Sequence, residues 1–344
     1  MAIQENYIQP HVVAKTLVIG VGSTGTAICR QIAERIEWEF GGQKHCPWVR
    51  FLCIETNKGE DHRGLETDFI TLGIDQQTFN RAVQSPEHFE TIGLNRWADI
   101  ETFKKLPDGK VEAGAGNIRM VGRFTFLQSD NFASVKQHIA RRLESLRNLT
   151  TTKARNDRGR RAAGTNEEVS FGPSDEAVRV FVVGSLCGGT CSGAASDFGL
   201  FLKTICRDED TVQAAFTLPH PDLSPTQQAN APRFKMNAKV ALEELNHYGQ
   251  AQQDGTFPIR YSDGTLSSGA FYNDVFLLMP SDTGDQAKTE AEQNIADWVF
   301  LQSAVPDVNP IAKAIDNSPM PQRGFSQVFS LFGFGTLEFP AFTV

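Results

Sequence analysis

Two glycine-rich segments, each set between a short apolar run and a helix-like pattern, constrain the fold of this chain more than any other feature. Residues 20–25 read GVGSTG and end the run Lys15–Gly20, whereas residues 184–193 read GSLCGGTCSG and follow Val178–Val183. A short β-branched run is typical of a buried strand, and glycine permits the tight turn that joins a strand to a helix. Each segment therefore predicts a strand, a turn and a helix in succession.

The same alternation continues along the chain. Apolar residues with the spacing of one helical face follow each segment, namely Ile28, Ile32 and Ile36 after the first and Phe198, Leu202 and Ile205 after the second. Further strand-like runs cover Val49–Ile54, Val212–Leu218 and Val275–Met279, with a helical pattern at Arg233–His247 between the last two. Strands that alternate with helices predict an α/β fold with a Rossmann-like, doubly wound parallel sheet.

Composition narrows the class of protein. The chain has 344 residues, 40% of them apolar and 22% charged, which excludes collagen-like, low-complexity and wholly disordered proteins, and its net charge of −8 disfavours a general nucleic-acid binder. The N-terminus lacks the basic flank and apolar core of a signal peptide, and no apolar run approaches the ~18 residues of a membrane span. The six cysteines form no CxxC pair and the histidines show no metal-binding spacing with them. We therefore expect a cytoplasmic protein with no membrane contact and no metal held by the protein alone.

Residues 141–173 interrupt the alternation of strands and helices. The stretch 141–161 contains eight basic and two acidic side chains, a local charge of +6. We interpret residues of about 147–173 as a mobile basic insertion. A solvated loop explains the charge, and a site for an acidic protein or another anionic partner is the alternative. Because no aromatic residues are interleaved in 141–161 for base stacking, nucleic acid is a disfavoured partner.

The first glycine-rich segment has the spacing of a phosphate-binding loop. The run Gly20-Val21-Gly22-Ser23-Thr24-Gly25 is GxGxxG between a predicted strand and a predicted helix. Backbone N–H groups at a helix N-terminus attract an anion, and glycine lets the anion approach them closely. Taken alone, the segment is typical of a dinucleotide-binding domain, in which Glu55 at the end of the next strand would contact the ribose. An NAD(P)-dependent oxidoreductase is therefore one alternative.

The second glycine-rich segment favours a different ligand. A redox domain has no standard use for a second phosphate loop, whereas two such loops at the carboxyl ends of parallel strands could enclose one di- or triphosphate. Thr190 and Ser192 would add hydroxyl donors. The lysine of GxxxxGK[ST] is missing, so backbone amides and a divalent cation would have to neutralise the phosphates. Glu55, Glu60 and Asp61 are carboxylates that could reach Mg²⁺, directly or through water.

Together the motifs resemble the tubulin/FtsZ superfamily. The run Cys187-Gly188-Gly189-Thr190-Cys191-Ser192-Gly193 is similar to its GGGTGSG signature, with Cys187 and Cys191 in place of two glycines. Residues 20–25 resemble its first phosphate loop, residues 54–57 its INTD-like strand end, and residues 113–117 its GAGGN loop beside the terminal phosphate. Residues 216–219, together with Arg233 and Asn237, resemble its ribose-holding segment, and residues 277–281 resemble its IPND-type strand end. The matching motifs span residues 15–300, and the nearest likeness is to divergent bacterial tubulin-like proteins.

The resemblance implies a site for GTP or GDP with Mg²⁺. The glycines of both loops would cradle the phosphates with Ser23, Thr24 and residues 188–193, while Glu55 and Asn57 would belong to the same site. Ala115, Gly116 and Asn117 would sense the terminal phosphate, Arg233 would lie near the ribose, and Asn294 would read the base. The nucleotide state would control self-assembly into a homo-oligomer or filament, or partner binding, with GTP hydrolysis as the expected reaction.

The resemblance also implies three regions, namely an N-terminal extension at 1–14, a nucleotide-binding domain at 15–284, and a central helix with a C-terminal segment at 285–344. Hydrolysis in the superfamily requires an acid-bearing loop after the central helix. Asp307-Val308-Asn309 and Asp316-Asn317 lie there without the required spacing, so no catalytic residue is assigned. Too little sequence follows for the superfamily's second domain, and we expect a fragment or a reduced relative. A non-hydrolysing scaffold, a pseudo-GTPase that binds a protein or anionic partner, is the second alternative.

Overall fold

The computed structural model describes twelve stretches of the chain, and all structural statements concern these residues: 11–59, 64–65, 69–91, 99–105, 114–153, 169–171, 176–220, 228–250, 259–267, 272–281, 285–304 and 329–331. The predicted acidic residues Glu60, Asp61, Asp307 and Asp316 lie outside them, as does the centre of the basic segment at 154–168. No helix among the described stretches combines the length and the apolar character needed to cross a bilayer.

The elements alternate between strands and helices along most of the chain. The strands are β1 (His11–Val13), β2 (Thr16–Val21), β3 (Val49–Glu55), β4 (Phe69–Thr71), β5 (Val169–Phe171), β6 (Arg179–Ser185), β7 (Thr211–Thr217), β8 (Ile259–Arg260), β9 (Leu266–Ser267), β10 (Asp274–Leu278) and β11 (Phe329–Leu331). The helices are α1 (Gly22–Phe40), α2 (Gln76–Gln84), α3 (Pro86–Thr91), α4 (Ile100–Lys104), α5 (Arg119–Leu127), α6 (Ser129–Arg147), α7 (Gly189–Leu202), α8 (Ala231–Gln250) and α9 (Asp285–Ala304).

A seven-stranded sheet forms the centre of the molecule, in the order β11-β10-β7-β6-β2-β3-β4. All of its neighbouring strands are parallel. From β2 the chain adds β3 and β4 on one side, and from β6 it adds β7 and β10 on the other. This arrangement is the doubly wound topology predicted from the sequence, and the winding direction changes between β2 and β6.

Both faces of the sheet are buried, which explains why its strands are apolar without interruption. Leu17 and Ile19 point into a core with α5, α6, α7 and α8, whereas Val18 points into the opposite core with α1 and α9. Strand β6 divides in the same way, because Val182 and Phe181 lie in different cores. The helices therefore form a layer on each side of the sheet, and both layers meet the loops at the carboxyl ends of the strands.

The start of the basic segment differs from the sequence interpretation. Residues 141–147 are not part of a loop but form the last two turns of α6. This helix buries an apolar stripe at positions three or four apart, namely Phe132, Val135, Ile139, Leu143 and Leu146. The carboxylate of Asp210, which is fully buried, accepts from Arg147 at the end of the helix. One basic side chain of the segment thus stabilises the fold rather than facing solvent.

A second small sheet joins distant parts of the chain at the amino-terminal edge of the central sheet. His11–Val13 pairs in parallel with Val169–Phe171 on the far side of the basic segment. Lys15, which is almost fully buried, donates to the carbonyl of Arg147 at 3.1 Å and lies 4.9 Å from the centre of the Phe171 ring. These contacts lie at the edge of the sheet opposite to the glycine-rich loops.

Candidate functional site

The two glycine-rich loops lie against each other where the winding direction of the sheet changes. Strand β2 ends at Val21 and α1 begins at Gly22, while β6 ends at Ser185 and α7 begins at Gly189. A Cβ atom placed on Gly22 would lie 3.5 Å from Cβ of Thr190, so the loops are in contact. In open α/β sheets a ligand binds in the crevice at this switch point.

A cavity of about 360 Å³ opens between these loops. Its lining comes from the ends of four neighbouring strands and from four helices, and it includes Val21, Gly22, Ser23, Thr24, Glu55, Thr56, Asn57, Gly116, Asn117, Ser185, Cys187, Gly188, Gly189, Thr190, Cys191, Thr217, Leu218, Pro219, His220, Phe234, Pro280, Lys288 and Ala291. A volume in this range is typical of small-molecule and cofactor sites.

The beginnings of α1 and α7 supply the anion-binding character of the cavity. Neither helix has a side-chain hydrogen bond at its N-cap, and both first turns face the cavity. Gly116 has no heavy atom within 4 Å of the place where a Cβ would stand, and for Gly188 the nearest is 3.9 Å away. The backbone at these glycines is therefore accessible to a ligand, and helix N-termini with exposed backbone suit a phosphate group.

Glu55 lies under the cavity and organises its floor. The side chain is 3% exposed, and Oε1 accepts from the amides of Thr56 and Asn57 at 2.7 Å and 3.2 Å. The same oxygen accepts from the hydroxyl of Thr190 at 3.3 Å, and the Thr56 and Thr190 hydroxyl oxygens are 2.7 Å apart. This carboxylate oxygen thus joins the end of β3 to the start of α7.

The loop 114–118 closes one side of the cavity and is tied to both neighbours. The Ala115 amide donates to the Thr56 hydroxyl at 3.0 Å, and the Gly189 amide donates to the Gly116 carbonyl at 2.7 Å. Asn237 of α8 is 5% exposed, and its Nδ2 donates to the carbonyls of Asn117 at 3.0 Å and Cys187 at 2.8 Å. One amide side chain therefore connects this loop to the second glycine-rich loop.

Comparison with known protein families agrees with the resemblance seen in the motifs. A family model described as tubulin like matches residues 17–344. The chain belongs to the tubulin-like family. A comparison with curated proteins found no match for this tubulin-like chain.

Solved structures of low sequence identity are similar to the tubulin-like chain. CetZ2 from Haloferax volcanii, described as a GTPγS-bound protofilament, has a TM-score of 0.47 and 15% identity, with 88% of this chain and 62% of that chain covered. CetZ from Methanosaeta thermophila has a TM-score of 0.46 and 14% identity, with 88% and 60% covered. TubZ from Bacillus thuringiensis serovar israelensis, described as a GTPγS-form protofilament, has a TM-score of 0.44 and 13% identity, with 86% and 58% covered. The chain spans less than two thirds of the length of each of these proteins.

Several residues predicted for the site of the tubulin-like chain do not line the cavity. Gly20 and Gly25 pack against each other instead, because a Cβ on Gly20 would lie 2.5 Å from the Gly25 carbonyl oxygen. Gly193 faces α5, and Ser192, only 1% exposed, donates to the Gly188 carbonyl inside the first turn of α7. The Ala115 amide is used by Thr56, as described above. These residues shape the backbone of the loops rather than the wall of the cavity.

Arg233 and Asn294, which the resemblance assigns to a ribose and a base, do not line the cavity. Arg233 is exposed, and the next residue, Phe234, lines the cavity in its place. On α9 the lining residues are Lys288 and Ala291, whereas Asn294 does not line it. The three-residue spacing of Lys288 and Ala291 places both on one face of α9. The sequence carries no signal for this face, since the motif comparison singled out only the asparagine.

The thiols of the second loop are neutral near physiological pH. Burial raises the pKa of the Cys187 thiol to about 11, an effect that Ser185 and Lys288 oppose. Burial also raises the pKa of Cys191 well above its ordinary value. A neutral thiol adds no negative charge beside a bound anion, so cysteine at these two positions is compatible with phosphate. In the described stretches, no group of three or more His, Cys, Asp or Glu side chains could hold a metal ion.

Proposed function

We propose that the cavity binds a guanine nucleotide and that the nucleotide state controls self-association or partner binding. The observation that carries this proposal is the contact between the two glycine-rich loops, which open onto one cavity at the switch point of the sheet. Membership of the tubulin-like family supports the choice of GTP or GDP over other phosphate compounds. The proposal covers the described site only, and the partners and cellular role of the whole protein are further proposals of the same kind.

The parts of the nucleotide are assigned to different walls of the cavity. The first turns of α1 and α7 would hold the phosphates through backbone amides, with the Thr190 hydroxyl beside them. Gly116 and Asn117 would contact the terminal phosphate, and the stretch 217–220 with Phe234 would face the sugar. Lys288 and Ala291 would lie at the base, and the Lys288 ammonium group, which pairs with Glu292 at 3.4 Å, would offer hydrogen-bond donors to the ligand.

Mg²⁺ would enter the site together with the nucleotide. This cation keeps several water ligands and is commonly held by substrate phosphates with one or two protein oxygens. Glu55 and Asn57 at the end of β3 line the cavity, and their side-chain oxygens would be the ligands offered by the protein. When bound, the cation would supply the charge neutralisation that a P-loop lysine provides elsewhere.

Hydrolysis of GTP is a further part of this proposal. Oriented amides would stabilise charge on the phosphates, but the reaction also requires a positioned water. The acidic residues considered for activating that water lie outside the described stretches, so no catalytic residue is assigned. A cytoplasmic location and a protein partner for the basic segment 141–161 likewise stay predictions.

Identification of the nucleotide is the direct test. Purified protein is denatured, and the released small molecules are identified by mass spectrometry, while nucleotide-free protein is titrated calorimetrically with GTP, GDP, ATP and NADH in the presence of Mg²⁺. We expect GTP and GDP to bind at micromolar levels and NADH not to bind. Folded protein that takes up neither guanine nucleotide below millimolar concentration would overturn the proposal.

Self-association is tested on the same preparation. Light scattering and sedimentation are recorded with GTP, with GDP and without nucleotide. The Gly22→Val variant serves as control, because its side chain would stand against Thr190 and Cys191 where the loops meet, at a residue with φ 75°. We expect association that depends on the nucleotide in the original protein and not in the variant. Association that is equal in all three conditions would favour the scaffold alternative.

A further inference from the structure

A partly buried ion pair stands directly behind the loop 114–118. Arg119 begins α5, immediately after that loop, and its Nη1 and Nη2 donate to the two carboxylate oxygens of Glu244 in α8 at 2.8 Å and 2.7 Å. Nη2 also donates to the carbonyl of Ser192 in the first turn of α7 at 2.8 Å. The Arg119 and Glu244 side chains are only 11% and 16% exposed. One guanidinium therefore joins three helices that meet around the cavity.

The backbones of α5 and α7 touch beside this ion pair. A Cβ on Gly193 would lie 2.2 Å from the Arg119 carbonyl oxygen, and a Cβ on Gly122 would lie 2.3 Å from the Gly189 carbonyl oxygen. Close-packed backbones transmit a displacement with little compliance. The backbone of α5 at Arg119 therefore lies directly against α7, whose first turn faces the cavity.

The loop 114–118 is held to α7 at its middle and at its carboxyl end. Its Gly116 carbonyl accepts from the Gly189 amide at 2.7 Å, while Arg119 at its carboxyl end is tied to Ser192 and Glu244. Gly116, with φ 51°, is itself the first of these attachments and presents open backbone to the cavity. The position of this backbone relative to α7 thus depends on whether Arg119 stays in place.

We propose that Arg119 is a positioning residue, and that its bidentate pair with Glu244 sets how much more tightly the site holds a nucleoside triphosphate than a diphosphate. This inference rests on the proposed function, since it assigns the terminal phosphate to the loop 114–118. Only a triphosphate reaches the loop in that assignment, so a loosened loop weakens GTP binding and leaves contacts to the first two phosphates intact. A general loss of packing should weaken the binding of GTP and GDP alike, whereas a loosened loop should weaken the binding of GTP alone.

The test compares affinities for GTP and GDP in four variants of the full chain. Arg119→Gln and Glu244→Gln each remove one charge of the pair, and the double variant removes both. Arg35→Gln is the matched control, because Arg35 pairs with Asp297 at 2.9 Å on the exposed outer side of α1 and α9. Circular dichroism and thermal unfolding confirm that each variant is folded. If Arg119→Gln does not fold, Glu244→Gln, which keeps the guanidinium and its bond to Ser192, is measured in its place.

We expect the single variants to weaken GTP binding by about tenfold or more, because a misaligned charge-assisted hydrogen bond costs about this much, while GDP affinity stays within about threefold. The double variant should lose no more GTP affinity than the more strongly affected single variant, because both substitutions remove the same ion pair. The Arg35→Gln control should match the original protein. Unchanged ratios of GTP to GDP affinity, or equal losses for both ligands, would overturn this inference alone. Failure of the original protein to bind either nucleotide would overturn the proposed function as well.

Discussion

At the scale of single residues, the glycines of the site perform two different tasks. Gly22 and Gly116 have positive φ angles of 75° and 51° and lie on the cavity. Gly193 instead allows α5 to touch α7, because a Cβ there would lie 2.2 Å from a carbonyl oxygen. The sequence motif treats all of these glycines alike. Their separate tasks become visible only when the neighbouring helix is in place.

The packing glycine should be intolerant of a single methyl group. Gly193→Ala places a Cβ in van der Waals overlap with the Arg119 backbone and should lower the free energy of unfolding by about 1–3 kcal/mol, the usual cost of overpacking. Urea denaturation gives this value. Gly188→Ala is the control, because its nearest neighbour is 3.9 Å away, and it should cost under about 1 kcal/mol at this N-cap position. Equal losses in both variants would contradict the division of tasks.

The thiol of Cys187 should report on occupancy of the cavity. Because burial raises its pKa to about 11, labelling by a maleimide should be slow at pH 7 and should accelerate about tenfold per pH unit as the thiolate fraction grows. A bound nucleotide should slow the reaction further, since Cys187 lines the cavity. Mass spectrometry of labelled peptides measures the rate, and Cys187→Ser is the control. A rate that ignores nucleotide would argue against a ligand beside this residue.

At the scale of helices, a buried ion pair connects α5 to α7, the helix whose first turn faces the cavity. Arg123 of α5 and Asp197 of α7 are 2% and 0% exposed and form an ion pair of 2.8 Å. The Tyr261 hydroxyl donates to the Asp197 carbonyl at 3.2 Å, and Glu244 of α8 lies 4.0 Å from Arg123. Burial raises the pKa of the Asp197 carboxyl to about 6, and Arg123 opposes this rise. The orientation of α7 therefore depends on a paired charge.

Removal of one partner from this pair should lower the free energy of unfolding by an amount that depends on pH. Arg123→Met should lower the free energy of unfolding at pH 8 by about 3–5 kcal/mol, because the Asp197 carboxylate loses its counter-charge. Without Arg123 the folded pKa of Asp197 rises further above its unfolded value, so the folded variant binds a proton more readily and its stability falls as pH rises through that range. The loss should therefore be smaller at pH 5 than at pH 8.

Unfolding curves at both pH values test this expectation. The Arg123→Met/Asp197→Leu double variant should recover most of the stability, because it leaves no unpaired charge. Arg35→Ala, which breaks a more exposed pair, should cost less than about 1 kcal/mol. A loss that is independent of pH would contradict the role of the Asp197 charge.

Burial determined which strands and helices could be predicted from the sequence. Strands β2, β3, β6, β7 and β10 were predictable because both faces of the sheet are covered and their apolar runs are therefore continuous. Helix α6 was missed because its buried stripe is diluted by Arg141, Arg142 and other charged residues on its exposed side. Strands β1 and β5 have three residues each, and only their pairing across the basic segment defines them.

The loops of the site could be predicted because motifs determine their backbone. The side chains that line the cavity from the helices could not be predicted in this way. Both glycine-rich loops meet at the cavity because parallel strands present their carboxyl ends on one edge. Within the described stretches, the loop 114–118 follows no strand of the sheet, and its bonds to Thr56 and Gly189 hold it there. On α9 the cavity is lined by Lys288 and Ala291 and not by Asn294, which lies three residues farther along the helix. Likewise, no sequence motif predicts the hydrogen bond that Asn237 donates to the Cys187 carbonyl.

At the scale of the whole molecule, the cavity draws its walls from both layers of helices, since α1 and α9 lie on one side of the sheet and α7 and α8 on the other. A ligand there can bind only when both layers are assembled. GTP or GDP at about one hundred times the dissociation constant should thus add about 2.7 kcal/mol to the free energy of unfolding. Thermal unfolding with Mg²⁺ measures the effect, and ATP at equal concentration is the control. An unchanged melting temperature at saturating nucleotide would contradict a site shared between the layers.

The pairing of β2 with β6 also decides when the site can exist during synthesis. Thr16 pairs with Arg179, which lies 179 − 16 = 163 positions later in the chain. The first glycine-rich loop has no opposing wall until synthesis has reached α7. The segment between these two residues must therefore be synthesised while the apolar edge of β2 is unpaired on that side, and this interval is when a nascent chain of this topology most needs protection by a chaperone.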